Sequence, residues 1–278
     1  MKGKLPKKII GYVLFGAAVF VVILYLRFPG DAVRQYLVDR FSATYPDLEL
    51  YIGKTGPAFP PGLKLVDVVI TPREQGGMGI KAEVLKIRPA WLGFLRGQTS
   101  VLFHADLYGG EISGKASFQQ AAARRGSYSL HCQADGIQLE RWGDLKTEIQ
   151  RAITGRLKAV LVYTGDAGGL ASGDGNIELT ILNGTYPLRE SIFGFDKLDF
   201  SRVEVQMALK AGVLKINRLR LNGQKVQCTL KGDVYLAPQD LKQSRLNITC
   251  GLELPGLGGK RINLGITGTL GNPTVAFL

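Results

Sequence analysis

The chain has few of the residues that carry catalysis or redox chemistry. Its 278 residues include three cysteines, two histidines, three methionines and two tryptophans. There is no C-x-x-C pair, no G-x-S-x-G nucleophile motif and no G-x-x-x-x-G-K-[ST] phosphate loop. These absences argue against a thiol oxidoreductase, an α/β-hydrolase and a P-loop NTPase. The sequence therefore predicts a protein that is not an enzyme and needs no cofactor.

The residues that could hold a metal are scattered. His104 and His131 lie alone on predicted strands, and the Asp106 beside His104 has no nucleophile near it. The glycine-rich segment 165–175 contains Asp166 and Asp174, but their spacing is not that of an EF-hand. We expect no metal site and interpret 165–175 as a loop.

Basic charge is concentrated at the N-terminus. The net charge is +12, of which residues 1–30 contribute +5 through Lys2, Lys4, Lys7, Lys8 and Arg27. No later Lys/Arg cluster is interleaved with aromatic residues, so we expect no nucleic-acid partner. The spread-out positive charge favours a surface near anionic lipid.

An uncharged, mostly apolar run extends from Ile9 to Leu26. As a helix it would be about 27 Å long, close to the hydrocarbon thickness of a bilayer. The bulky sequence after it does not resemble a signal-peptidase site, so a retained anchor is favoured over a processed signal peptide, which remains the alternative. The preceding lysines place the N-terminus in the cytoplasm and the rest of the chain across the membrane.

The predicted organisation has four parts. A basic tail (1–8) precedes a transmembrane anchor (9–27), a juxtamembrane helix with linker (28–47) and an antiparallel β domain (48–278). Asp31 is placed as the N-cap of a helix over Ala32–Phe41, with Val33, Tyr36, Leu37 and Phe41 on one face. This helix can lie on the bilayer or cap a sheet, and its narrow apolar stripe favours the cap. A second helix is predicted over Leu139–Ile153.

From Leu48 onward the hydrophobic period becomes two, which is typical of strands. Strands are predicted at 63–71, 80–88, 99–107, 110–118, 127–134, 156–163 and 175–182, and then as a C-terminal meander with turns at Ala211-Gly212, Asn222-Gly223 and Gly271-Asn272-Pro273. The alternation changes phase within two strands, after Leu65 and after Val84, which predicts bulges or bends. Cys228 and Cys250 occupy apolar strand positions. Two buried thiols are favoured, and a disulfide between neighbouring strands is the alternative.

About a dozen apolar strand faces have only two short helices to cover them. The sheet must therefore cover itself as a sandwich or rolled sheet, or leave a groove for another apolar molecule. Both interpretations remain open. The candidate groove-lining residues are Val203, Val205, Met207, Leu209, Leu230, Leu246, Ile248, Leu252, Ile262, Leu264 and Ile266.

Three short patterns carry a family resemblance. Phe59-Pro60-Pro61-Gly62-Leu63 opens a strand soon after the juxtamembrane helix, and Tyr108-Gly109-Gly110, followed by Gly114, makes a hairpin. Similar glycine-containing units recur downstream, and the chain closes on Gly271-Asn272-Pro273. Together with the anchor, this order resembles the type II secretion system protein N family and the wider AsmA-type group.

The resemblance implies an inner-membrane protein, spanning once, with most of its mass in the periplasm and a long, curved antiparallel β-groove. It implies a structural or assembly subunit of type II secretion, contacting other subunits of that apparatus. The AsmA-type likeness implies the alternative of a module that binds phospholipid or a lipopolysaccharide-type lipid in envelope lipid transport. Neither group supplies catalytic residues to carry over.

Overall fold

The structure is a computed structural model. It describes residues 11–12, 15–16, 19, 23, 25–73, 79–90, 99–119, 127–143, 145, 153–166, 172–192, 195–238, 240–255 and 259–278. Most of the predicted anchor (9–27) and of the predicted helix Leu139–Ile153 lies outside these residues. In the part of the chain that is described, no helix has the length and apolar character needed to cross a membrane. Leu139–Arg141 forms one 3₁₀ turn.

The described chain is mainly β. In chain order the elements are α1 (Gly30–Thr44), β1 (Leu48–Ala58), β2 (Gly62–Pro72), β3 (Ile80–Pro89), β4 (Thr99–Leu107), β5 (Gly110–Gln119), β6 (Ser127–Gln138), β7 (Thr154–Gly165), β8 (Asp174–Ile192), β9 (Phe195–Lys210), β10 (Val213–Asn222), β11 (Gln227–Tyr235), β12 (Arg245–Leu254), β13 (Lys260–Thr269) and β14 (Asn272–Phe277).

All fourteen strands belong to one antiparallel sheet, and their spatial order is their order in the chain. The predicted antiparallel meander is therefore confirmed, and it extends over the whole β domain. The sheet is open, with β1 at one edge and β14 at the other. A sandwich of two separate sheets is excluded for the described strands.

The phase changes predicted in β2 and β3 are present. In β2, Leu65 and Val68 are both buried although they are three residues apart, and the intervening Asp67 has a φ of 54°. In β3, Ala82 and Leu85 join the same core. Further register shifts occur in the pairs β6–β7, β7–β8, β8–β9, β9–β10 and β10–β11. Such irregularities bend strands and increase the local twist of a sheet.

Helix α1 packs against the β1 end of the sheet. Leu37 and Val38 contact the core formed by β1–β4 and β6, and Arg34 Nη1 donates to the Gly53 carbonyl oxygen at 3.2 Å. The prediction that this helix caps the sheet agrees with these contacts. The prediction of Asp31 as the N-cap is wrong: Pro29 occupies that position, and Asp31 pairs with Arg34 in the first turn at 3.1 Å.

Tyr36 also departs from its predicted place on the packed face, since 67% of its surface is exposed. It and Leu37 therefore form a matched pair of neighbours. Replacing Leu37 with alanine is expected to cost about 1 kcal/mol of docking energy, because half-buried apolar surface is lost, and to speed hydrogen exchange in β1. Tyr36→Ala should leave that exchange unchanged. Equal effects of the two substitutions, measured by hydrogen–deuterium exchange, would contradict the packing of α1 on β1.

Candidate functional site

The face of the sheet that carries the buried core is apolar across its full width, and we call it the apolar face. A first row of directly opposed residues crosses every strand, and each member is apolar or glycine. The first row consists of Pro57, Leu63, Ile87, Phe103, Gly114, Cys132, Leu161, Ile177, Met207, Ile216, Gly232, Ile248, Ile266 and Val275.

A second row lies beside the first and is equally uninterrupted from β2 to β14. It consists of Leu65, Leu85, Ala105, Ile112, Ala134, Ala159, Leu179, Val205, Leu219, Leu230, Cys250, Leu264 and Phe277. Strands in a sheet are spaced about 4.8 Å apart, so each row is about 60 Å long. Apart from the thiols of Cys132 and Cys250, neither row contains a polar side chain, and neither contains a charge.

The apolar face is only partly packed. Buried clusters lie at the α1 end, on β9 around Phe200, and on β11–β12 around Val234 and Ile248. Between the first two clusters, the residues of the first row on β5–β8 are half-buried, including Leu161 and Ile177. Exposed apolar surface costs roughly 25 cal/mol per Å² relative to its burial. Covering the exposed apolar surface of this face with another apolar group would therefore lower the free energy.

The opposite face of the sheet is polar. Its side chains form exposed ion pairs such as Lys158–Asp135 at 3.0 Å and Arg202–Glu204 at 2.8 Å. Solvent-exposed pairs of this kind contribute little to stability. These charged side chains keep the polar face hydrated, while the apolar face carries no charged residue in its two rows.

All eleven predicted groove-lining residues lie on the apolar face. Val203, Val205, Leu246 and Ile248 are buried within the core clusters. The remaining seven are half-buried: Met207, Leu209, Leu230, Leu252, Ile262, Leu264 and Ile266. The sequence identified only the C-terminal part of the face, because the alternation is cleanest there. The continuation of the apolar face through β2–β8 depends on which residues of neighbouring strands are paired, and this pairing cannot be read from the sequence.

The glycine motifs are turns and close contacts of the sheet. Tyr108 and Gly109 form the two-residue turn between β4 and β5, with φ values of 51° and 73° that match a type I′ hairpin. Tyr108 also stacks on Trp142, with ring centroids 5.4 Å apart. A Cβ on Gly110 would lie 2.5 Å from the Asp135 carbonyl oxygen, and one on Gly114 would meet the Phe103 ring at 2.5 Å.

The first and last motifs behave similarly, with one correction. Pro61 ends the β1–β2 turn and Gly62 begins β2, where a Cβ would lie 2.5 Å from the Ile87 carbonyl oxygen. The sequence predicts the final turn at Gly271-Asn272-Pro273. The turn residues are instead Leu270 and Gly271, and both Asn272 and Pro273 belong to β14. Proline is tolerated there because β14 is an edge strand.

Cys228 and Cys250 lie side by side on the apolar face, on neighbouring strands β11 and β12. Their Sγ atoms are 3.3 Å apart, and both thiols are free in the structure. Burial, together with the neighbouring Cys250, raises the pKa of the Cys228 thiol to about 12. Both residues occupy apolar positions, as the sequence predicted, and a disulfide between them stays the alternative to the favoured pair of buried thiols.

The raised pKa gives a pH-dependent expectation. The protonated Cys228 thiol favours the folded state fully below its ordinary pKa of 9.0, and this contribution is lost as the pH rises towards about 12. Because thiolates are the reactive form, we expect iodoacetamide to alkylate the folded chain slowly until the pH is well above 9. Peptide mass spectrometry over a pH series measures this. Alkylation of Cys228 at neutral pH as fast as in the urea-unfolded chain would contradict it.

One group of metal-ligating side chains lies on the polar face. His104 Nε2 is 3.2 Å from Asp106 Oδ1 and 3.9 Å from Glu111 Oε2, at the β4–β5 hairpin. The sequence paired His104 with Asp106 but missed Glu111, because Glu111 comes opposite Asp106 only through strand pairing. All three side chains are between 37% and 59% exposed. This openness fits a hydrogen-bonded surface cluster, and it differs from the closed ligand shell of a structural metal site.

Comparisons with protein-family models, with curated proteins and with solved structures found no match to this chain.

Proposed function

We propose that this protein binds the hydrocarbon chains of lipids along its apolar face. The observation that carries the proposal is the unbroken first row, which runs from Pro57 to Val275 without a polar side chain. A sheet that needed only a folded core would not require an apolar row about 60 Å long, half-buried over its middle strands. A flexible, uncharged chain is the kind of ligand that matches such a surface.

In this proposal the sheet curls around its apolar face to form a groove. On β12, Leu246, Ile248 and Cys250 are all buried while the residues between them are exposed. The partly buried residues packed against that cluster come from the same sheet, except Leu236, which directly follows β11. Burial of one face without a second layer is the behaviour of a curved sheet. The register shifts between β6 and β11 supply bends of the required kind.

The groove is proposed to lie close to a membrane surface. The anchor predicted at 9–27 would lead directly into α1, and α1 is separated from β1 by only three residues, 45–47. The Arg34 bond to Gly53 and the Leu37 contact tie this helix to the first strand. We therefore propose an inner-membrane protein whose groove begins near the bilayer and extends into the periplasm.

Lipid binding is tested by native mass spectrometry of the full chain released from mild detergent. We expect the protein to retain phospholipid or lipopolysaccharide-type lipid, with the bound mass surviving detergent exchange. The matched control is the chain denatured in urea and refolded without lipid, which should regain lipid only when vesicles are added. Absence of lipid from both samples would contradict the proposal.

A structural role in type II secretion is a second candidate. The packing of α1 on β1 favours it, because a scaffold subunit must transmit position from the membrane to its domain. Affinity purification of the tagged full chain from its native membranes tests it. Co-purification of other secretion subunits is the expected result, and their absence would count against the role without affecting lipid binding.

A further inference from the structure

The two edges of the sheet are finished differently. At the β1 edge, α1 covers the strand: Arg34 bonds to the Gly53 carbonyl oxygen, and Gly30 lies against the Thr55 carbonyl oxygen. At the β14 edge all six residues are exposed, including Val275 at 58% and Phe277 at 83%. Exposed edges pair readily with other strands unless charge, bulges or a covering element prevents it.

The β14 edge is short and carries one proline, two features that limit edge pairing, but it has no charged side chain and no bulge. The segment Asn272–Leu278 contains no charged side chain, and its pairing with β13 is regular from Asn272 to Phe277. Its only blocking residue is Pro273, which comes near the start of the strand. Among the described residues, no other strand pairs with the outer side of β14 over Thr274–Phe277.

The direction of the free backbone groups follows from one hydrogen bond. The Leu278 N–H donates to the Asn263 carbonyl oxygen at 2.9 Å, so Leu278 faces β13. Backbone groups alternate in direction along a strand. The N–H and C=O groups of Val275 and Phe277 therefore point outward, together with the C=O of Pro273.

We propose that β14 pairs with the β14 of a second copy of this chain, antiparallel and about a two-fold axis at Val275. In this register Val275 faces its own symmetry mate, and the two Val275 residues exchange two hydrogen bonds. Each Phe277 N–H donates to the partner's Pro273 carbonyl oxygen. Pro273 has no N–H to return, so the interface contains four backbone hydrogen bonds in all.

The register is self-complementary in its side chains as well. Val275 and Phe277 belong to the first and second rows of the apolar face. A two-fold axis perpendicular to the sheet keeps the apolar faces of both copies on the same side. Phe277 of each copy then packs over Pro273 of the other, and the rows continue across the junction. A second copy thus meets no charged side chain on β14 and buries the exposed apolar side chains of the edge.

The inference is tested on the full chain in mild detergent, by light scattering over a concentration series. We expect a reversible, concentration-dependent dimer of twice the 30.2 kDa chain mass. Val275→Pro removes an outward N–H without touching the bonds to β13, so it should leave the fold intact and reduce the dimer at least tenfold. Val275→Ala keeps that N–H and should retain the dimer.

Cross-linking fixes the register. Directly opposed, hydrogen-bonded residues have Cα atoms about 5.5 Å apart, within reach of a disulfide. A Val275→Cys chain should therefore cross-link to itself on mild oxidation, whereas Ala276→Cys, which would face the partner's Thr274, should not. Peptide mass spectrometry distinguishes these bonds from any that involve Cys132, Cys228 or Cys250.

Three outcomes would overturn the inference: a monomer at every concentration, a dimer unaffected by Val275→Pro, or equal cross-linking of the two cysteine variants. The edge would be assigned to a different partner if the purified wild-type chain is monomeric and if another protein co-purifies with it from membranes but not with the Val275→Pro chain. Lipid binding is measured separately on the wild-type chain, so a failure of the dimer leaves that measurement intact.

Discussion

A Leu161→Glu chain is expected to lose at least nine-tenths of its bound lipid. Leu161 occupies the first row at the centre of the sheet, on β7, and is half-buried. A carboxylate there must lose its water when a hydrocarbon chain covers it, and burying an unpaired charge is far more costly than burying a leucine side chain. The loss is measured as the lipid-to-protein ratio after purification.

The adjacent residue provides the control. Val162 points to the polar face and is 43% exposed, so Val162→Glu adds the same charge one position away without entering the apolar face. We expect it to retain lipid at the wild-type level. Circular dichroism and thermal unfolding of both variants separate loss of binding from loss of fold. Equal lipid loss in the two folded variants would contradict a binding surface confined to one face.

Replacing Gly232 with alanine is expected to destabilise the folded chain by about 3 kcal/mol or more. Gly232 belongs to the first row on β11 and has a φ of 150°, which L-residues rarely adopt. A Cβ there would collide with the carbonyl oxygen of Asn247 and lie 2.6 Å from the Ile248 Cα. Both contacts are to backbone of β12, so the strand pair itself would have to separate.

A second strand glycine makes the matched control for this substitution. A Cβ added to Gly56 on β1 would have no atom within 4 Å, and Gly56 has no positive φ, so Gly56→Ala should be nearly neutral. Denaturant unfolding of the two variants beside the wild type compares them directly. A Gly232→Ala chain as stable as the Gly56→Ala chain would contradict the close β11–β12 approach.

Most strands could be predicted because the alternation of apolar and polar residues lies within each single segment of the sequence. Leu246, Ile248 and Cys250 alternate with polar residues, and this period of two is visible in the sequence itself. The phase change around Asp67 likewise predicts an irregularity in β2, which the structure contains. The pattern does not delimit β1, since Gly53, Lys54 and Pro57 interrupt it. The described residues contain fourteen strands, whereas the sequence led us to expect about a dozen.

Register could not be predicted, because it depends on which residues of different strands come opposite each other. No local pattern in the sequence says that Cys132 faces Leu161, or that Leu161 faces Ile177. The continuous apolar face therefore emerges only from the folded sheet. The helix cap failed for a related reason: Asp31 is a good N-cap residue, but the chain already turns into the helix at Pro29.

The central claim is that lipid chains lie on one face of this sheet. The most direct measurement places a photo-reactive amino acid at successive positions of β7 in the full chain and records cross-links to phospholipid. We predict cross-links with a period of two, strong at positions 157, 159 and 161 and weak at 158, 160 and 162. Cross-linking of equal strength at all six positions, or at none, would contradict the claim.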